Sequence, residues 1–398
     1  MAGHAFLPPS GADGWGNCSY WPYANQQFPK PDTPASLEGT AVHWVASECL
    51  LNWKSQAIEA DLSCCDFVGR TAPNGVVITE EMAERGQAFV DTCLEIAQAN
   101  GGYANMLIES PVAMPRIHPT HNWGTPDFGC FNSQTGQLYV MDYKDGFLEV
   151  DPFECLQLVD YAEGLITQFN LSDQHLTVTL GIVQPRCYSA LGPVRTWSTH
   201  ATTLRPLLNQ LHMQAGEVFN NPQQKAGAHC VHCPGLGKCG ASRRYIYTLA
   251  DYLAQPVVID EMTPADLGVE YTTLKNVIRV GKARLEAIEA SVANCVDRGE
   301  PGTGYTKEVR TGAMKWDDSM APAAVVALGD ALGVDFSKAD CKTPRQAIDA
   351  AKAHGRKVKD PSFASNIEAT IKAVAPRAAG TSKLIKAEDS IVARIFKK

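Results

Sequence analysis

GTPDFGCFNSQTGQLYVMDYKDG, residues 124–146, is the stretch on which the fold turns. Two apolar runs, 128–131 and 138–141, flank the polar Asn132-Ser133-Gln134-Thr135-Gly136. The pattern predicts a β-hairpin that carries an acid on each strand. Asp142 and Lys144 are two apart, so they share one face of their strand while Tyr143 takes the other, and antiparallel pairing brings Asp127 across from them. Two carboxylates and an ammonium then converge. Hard oxygen ligands of this kind hold Mg²⁺, and a lysine beside them orients water or offsets charge developing on a phosphate, which suits metal-assisted phosphodiester hydrolysis. Taken alone, Asp-x-Lys on a strand is more often a solvated face.

On the N-terminal side of the hairpin, Met106 to Ile108 reads as a first short strand ending in Glu109. Glu109 is either a third carboxylate or a strand-end charge, and stays outside the core set. Further upstream, Thr33-Pro34 supplies an N-cap and a first-turn proline. The helix they open has Leu37, Ala41, Val45 and Cys49 on one side and Glu38, Gly39 and His43 in its early turns. Thr79-Glu80-Glu81 caps a second helix that runs to about Gln98. Residues 1–32, rich in Pro, Gly, Asn and aromatics, read as irregular packed structure.

On the C-terminal side, Asp151-Pro152 opens a helix in which Gln157 and Tyr161, four apart, share a face. The β-branched run 175–185 predicts a buried strand with 194–198 beside it. Helix, strands, helix and strand make a mixed α/β core. A helix over 201–219 follows, and Thr263-Pro264 starts a long one. Its Leu274, Ile278, Leu285, Ile288, Val292 and Cys295 keep a 4-3 spacing interrupted by Gly281, which suits packing in a bundle. Residues 301–316 predict a small hairpin, and 320–333, 343–354 and 361–374 predict helices. Two domains result, 1–262 and 263–398, the second mainly helical and a candidate DNA- or partner-binding region.

The chain has 45% hydrophobic and 20% charged residues and no apolar run long enough to span a membrane, so a cytoplasmic location without membrane partners is expected. The net charge of −8 is uneven: residues 1–269 carry 13 Lys+Arg against 27 Asp+Glu, and 270–398 carry 22 against 16. An acidic body takes away electrostatic support for a nucleic-acid substrate without excluding one, because a carboxylate-rich metal site is itself acidic.

Thirteen cysteines, an odd number, argue against a disulfide framework. Three of them, Cys230, Cys233 and Cys239, fall within ten residues of a loop with Pro234, Gly235 and Gly237. Three loop thiolates need a fourth ligand from elsewhere, or locally from His229 or His232, and sulfur ligation fits Zn²⁺ or an iron–sulfur cluster.

In this order, Glu38-Gly39-Thr40 with His43, Gly124-Thr125-Pro126-Asp127, Asp142-Tyr143-Lys144 and Gln157-x3-Tyr161 resemble the motifs of RecB-type PD-(D/E)XK nucleases. A lone Cys18 before the first motif and Cys-x2-Cys-x5-Cys after the last resemble the iron–sulfur branch of that family. That branch includes CRISPR-adaptation exonucleases, the AddB nuclease domain and phage homologues; the match spans roughly residues 10–245.

The resemblance implies a restriction-endonuclease-like core and a DNA exonuclease of phage recombination or DNA processing, acting in the bacterial host cytoplasm. It implies that Asp127 and Asp142, with the Tyr143 carbonyl, ligate Mg²⁺ or Mn²⁺, and that His43 completes the sphere or binds a second ion, with Glu38 close by. Lys144 would position the attacking water, and Gln157 and Tyr161 would line the DNA path. Cys18, Cys230, Cys233 and Cys239 would hold a [4Fe-4S] cluster. Such a tie between Cys18 and residues more than 200 positions away closes a long loop, where a cross-link most restricts the unfolded chain. The implied partners are DNA ends or single strands and a single-strand annealing or recombination protein. The rival expectation is a non-catalytic iron–sulfur or zinc DNA-binding scaffold that keeps the nuclease fold.

Overall fold

The computed structural model describes residues 5–28, 32–55, 62–253, 263–310, 314–317, 320–338, 341–358, 361–375 and 381–387. The first compact unit, Met1–Leu285, opens with two short helices, α1 (Ala12–Trp15) and α2 (Trp21–Gln27). Then come the long α3 (Pro34–Ser55) and α4 (Glu80–Ala99), the latter capped by Thr79, whose side chain accepts from the Met82 N–H. Strands β1 (Met106–Ile108), β2 (Val112–Ala113), β3 (Trp123–Gly124), β4 (Phe128–Asn132) and β5 (Gln137–Tyr143) follow. After them stand α5 (Leu156–Gln168), β6 (Thr177–Val183), β7 (Val194–His200), α6 (Arg205–Asn220), α7 (Gly240–Leu253) and α8 (Pro264–Asp297).

Five strands form one mixed sheet in the order β1-β4-β5-β6-β7. β4 and β5 are the expected hairpin, antiparallel from Phe128↔Met141 to Asn132↔Gln137. β5 and β6 run parallel, joined through α5, and β6–β7 is antiparallel. Each face of the sheet has its own core, and the period-2 alternation of β5 sorts its residues between them. Leu138 and Val140 pack with Val178, Leu180 and Ile182 under α5 and α6. Met141 and Tyr143 pack with Phe128 and Cys130 under α3 and α4.

The amino-terminal segment is more ordered than its composition suggests. Leu7, Ala12 and Trp15 are fully buried in the first core, and helices of four and seven residues are too short to show a periodicity. α5 starts at Leu156, after the expected Asp151-Pro152, because Glu154 has φ 52° and interrupts any helix begun there. α7 went unforeseen.

The second unit, Glu286–Lys398, contains the last part of α8, β8 (Tyr305–Arg310), α9 (Pro322–Ala331), α10 (Pro344–Val358), α11 (Pro361–Val374) and β9 (Thr381–Lys386). Val325, Phe336, Ile348 and Ile371 are among its core residues. The division between units falls inside α8, not before it; residue 262, the expected domain end, lies outside the described residues. β8 pairs antiparallel with β9 over Tyr305↔Lys386 to Arg310↔Thr381, in place of the local hairpin expected for 301–316; 311–313 of that stretch lie outside the described residues.

Candidate active site

The registers of three neighbouring strands line up their ends. Ile108 pairs with Phe128, and Phe128 with Met141. One residue further along each strand stand Glu109, Asp127 and Asp142, so three carboxylates lie in a row at one end of the sheet. His43, in the third turn of α3, reaches over this row. Its Nδ1 is 3.0 Å from Glu109 Oε1 and its Nε2 is 2.8 Å from Asp127 Oδ2. Among the described residues, His43, Glu109 and Asp127 are the group whose metal-type ligand atoms all lie within 4.8 Å of one another.

Glu109 was not in the expected ligand set. Its place depends on the β1–β4 register and on a left-handed backbone, φ 43°, neither of which a single sequence displays. A glutamate held there stores strain, as residues at ligand sites often do.

Lys144 lies where the alternation put it. Its Nζ is 2.8 Å from Asp142 Oδ2 and donates to Gln157 Oε1 at 3.0 Å, while Gln157 Nε2 donates to Asp142 Oδ1 at 2.6 Å. Gln157 thus fixes both members of the pair from the first turn of α5. Asp142 Oδ2 is buried and makes no well-directed hydrogen bond, which leaves it lone pairs for a cation. Tyr143 turns its ring into the second core, and its backbone N–H donates to Asp127 Oδ2 at 2.7 Å.

Burial alone would discharge several of these groups, and the neighbours decide otherwise. It acts against the His43 imidazolium, but Asp127 and Glu109 outweigh it and hold His43 well above its usual range. It also acts against the Lys144 ammonium, yet Asp142 and Asp127 raise that group. Burial pushes Asp142 up to about 6, with Asp127 adding to the effect and Lys144 opposing it. Asp142 and Asp127 thus favour the charged form of Lys144 over the neutral amine.

Two expected residues sit elsewhere. Glu38 is drawn into a second ionic cluster: it pairs with Arg85, and Arg186 Nη1 is 3.4 Å away. Arg85 also reaches Asp145 at 3.0 Å and Glu81 at 2.9 Å, and the Tyr143 hydroxyl donates to Asp145 at 2.7 Å. Glu38 therefore braces the far side of the Asp142–Asp145 segment, with its carboxylate already engaged by guanidinium groups. Tyr161 is only 6% exposed and belongs to the first core, so it has little surface to offer a DNA strand. It packs against Gly124, where an added Cβ would lie 3.1 Å from the Tyr161 ring and 2.8 Å from Pro9. That explains the glycine two residues before Pro126.

The cysteine loop meets the amino terminus as expected. The Gln223 N–H donates to Ser19 Oγ at 2.8 Å and the Tyr20 N–H donates to Gln223 O at 3.3 Å, which pins the Cys18 segment beside the loop. Cys18, Cys233 and Cys239 line one cavity of about 240 Å³ together with Tyr20, Trp21 and Phe28. Cys230 is buried against Leu236 and Val280. The N–H groups of Lys225 and Gly227 each donate to a sulfur, Cys18 and Cys230, at 3.4 Å. Burial raises the Cys230 and Cys233 thiols, Cys233 to about 11, and the neighbouring cysteines add to both shifts. Thiolates so gathered repel one another unless a cationic centre joins them, so this donor set fits a metal or cluster. His229, a candidate fourth ligand, has Nε2 2.9 Å from the Lys225 carbonyl.

No helix among the described residues is long and apolar enough to cross a membrane. The family model described as "Protein of unknown function (DUF2800)" matches residues 4–389.

Proposed function

We propose that this chain, which belongs to the DUF2800 family, is a Mg²⁺- or Mn²⁺-dependent deoxyribonuclease: an exonuclease of the RecB-type PD-(D/E)XK kind with a [4Fe-4S] cluster. In this reading it acts on DNA ends or single strands in phage recombination or DNA processing, within the host cytoplasm, beside a single-strand annealing or recombination protein. One observation carries it. Asp127 and Asp142 stand side by side on paired strands, Lys144 shares their face, and His43 with Glu109 completes a cluster of hard ligands.

His43, Glu109 and Asp127 would hold the divalent ion, with Asp142, whose Oδ2 is 2.8 Å from Lys144 Nζ, on the neighbouring strand. A bound ion supplies Lewis-acid polarisation of a phosphoryl oxygen and makes a nearby water a better nucleophile. The chain's own groups do the rest. Lys144, kept charged by Asp142 and Asp127, offsets the negative charge that grows on the phosphate as water attacks in line. Gln157 keeps the ammonium from swinging away, since it grips both Lys144 and Asp142. For an ion to be held there, His43 would have to release at least one of its two carboxylates, because both ring nitrogens are engaged by them.

A lone Cys18 followed by Cys230-x2-Cys233-x5-Cys239 is the spacing that supports a cluster over zinc. The cluster would be a structural staple between Cys18 and the loop.

The test is digestion of labelled linear DNA with and without a chelator. Wild type degrades it in Mn²⁺ or Mg²⁺ and stops in EDTA, and Asp127→Asn and Asp142→Asn leave it whole. DNA left intact by wild type across end types and both metals would favour a non-catalytic scaffold.

A further inference from the structure

The long helix α8 carries a feature the nuclease reading does not use. Leu267, Tyr271, Leu274, Ile278 and Leu285 are 54%, 65%, 42%, 55% and 58% exposed. Their spacing is 4-3-4, then seven across Gly281, and Ile288, Val292 and Cys295 continue it. This is a heptad seam interrupted only at Gly281. Among the described residues the helix packs against the cysteine loop through a different face, where Val280 meets Cys230 and Leu236, and Arg284 donates to the Leu236 carbonyl at 2.6 Å. Val280 lies about 140° round the helix from the centre of the seam, while Val277 and Arg284 occupy g positions that border it. One face thus anchors α8 to its own unit, and another, strictly heptad, faces solvent.

A stripe of 3.5-residue period marks a coiled coil and not a globular contact, which uses a broader 3.6-period face. In heptad terms Tyr271, Ile278, Leu285 and Val292 are a positions, and Leu267, Leu274, Gly281, Ile288 and Cys295 are d positions. The flanking charges identify the occupant. In a parallel pair each g residue meets the e residue five positions on in its partner. Glu270 at g then faces Lys275 at e, opposite in sign. Lys275 also lays its ammonium 5.3 Å from the Tyr271 ring centroid, so it already flanks the a layer. The Glu270–Lys275 flank is self-complementary, and beside it Ile278 at a with Leu274 at d is the combination that favours two parallel strands.

We propose that α8 is the dimerisation element of this protein, pairing in parallel with α8 of a second copy along the Leu267–Leu285 seam. Gly281 is its one weak layer: nothing lies within 4 Å of a Cβ placed there. A leucine at that position fills a d layer and removes a helix-weakening glycine.

Sedimentation velocity and light scattering on the full chain test this, across a concentration series. The expected mass is twice the 43.0 kDa of one chain. Ile278→Asp and Leu274→Asp, at exposed positions that leave the fold intact by circular dichroism, give the single-chain mass. Gly281→Leu shifts dissociation to at least ten-fold lower concentration. Glu270→Lys and Lys275→Glu each weaken the dimer, and the double exchange restores it. A monomer at every concentration overturns the proposal, as does a dimer indifferent to Ile278→Asp. Failure of the double exchange to restore what the single ones lose overturns the parallel arrangement.

Discussion

Replacing Glu109 with glycine separates the two things that residue does. At φ 43° a non-glycine residue costs about 1–2 kcal/mol, which glycine avoids. Against that gain stands the ion pair with His43, 3.0 Å long with side chains 28% and 32% exposed, where screening limits such a pair to about 0.2–1 kcal/mol. Glycine also gives back about 0.5–1 kcal/mol through the greater freedom of the unfolded chain. These effects nearly cancel, so the ion-free Glu109→Gly protein should unfold within about 1 kcal/mol of wild type. Metal binding has no such compensation. Even residues that only support a metal ligand typically cost about 10–100-fold in affinity when lost, and Glu109 supplies a donor atom itself. Guanidinium unfolding in EDTA, paired with Mn²⁺ titration by calorimetry, reads both quantities. Glu109→Gln should lose the same affinity while keeping the backbone strain. Wild-type Mn²⁺ affinity in Glu109→Gly, or a destabilisation of several kcal/mol, would refute the reasoning.

Arg85→Met leaves Asp145 buried with only Arg186 and the Tyr143 hydroxyl for company; a loss of about 3 kcal/mol is expected in denaturant melts, partly recovered by adding Asp145→Asn. Asp160 is fully buried, and burial pushes its carboxyl up to about 8 while Asn122 donates to it at 3.0 Å. Its folded pKa lies above its unfolded one, so its contribution is complete below about pH 4 and lost as pH rises towards 8. Asp160→Asn should flatten the fall in melting temperature between pH 5 and 8; an unchanged slope refutes this. Gln157→Leu removes both grips on the Asp142–Lys144 pair and should slow DNA cleavage about 10–1,000-fold with Mn²⁺ affinity little changed, since hydrogen bonds to charged groups contribute about 1.5–3 kcal/mol. Anaerobically purified wild type should be brown and contain iron, and Cys18→Ala should lose the colour; a colourless protein with zinc sinks the cluster.

The sequence was most informative where geometry is local. Asp142 and Lys144 share a face because strands alternate, and Leu138 and Val140 divide from Met141 and Tyr143 by the same rule. The caps at Thr33-Pro34 and Thr79 fixed the starts of α3 and α4 for a similarly local reason. What was hidden depends on distant parts of the chain. Glu38 turns to Arg85, 47 residues on, and Glu109 comes beside His43 and Asp127 through pairing with a strand some 20 residues later. Tyr161 shares a helix face with Gln157, but Pro9 and Gly124 close over it. β8 finds its partner in β9 at the far end of its unit. The 4-3 seam of α8 was visible in the sequence; that it stays open to solvent was not.

In the proposed reaction Lys144 works beside a metal held by its carboxylate neighbours. The direct measurement is single-turnover cleavage of end-labelled single-stranded DNA in saturating Mn²⁺ by wild type and Lys144→Ala, with Mn²⁺ affinity measured on the same samples. The account predicts that wild type cleaves, while Lys144→Ala binds Mn²⁺ and cleaves at least 100-fold more slowly, an effect of about 3 kcal/mol on the barrier. Equal cleavage by the two proteins, or none by either while Mn²⁺ is bound, would contradict it.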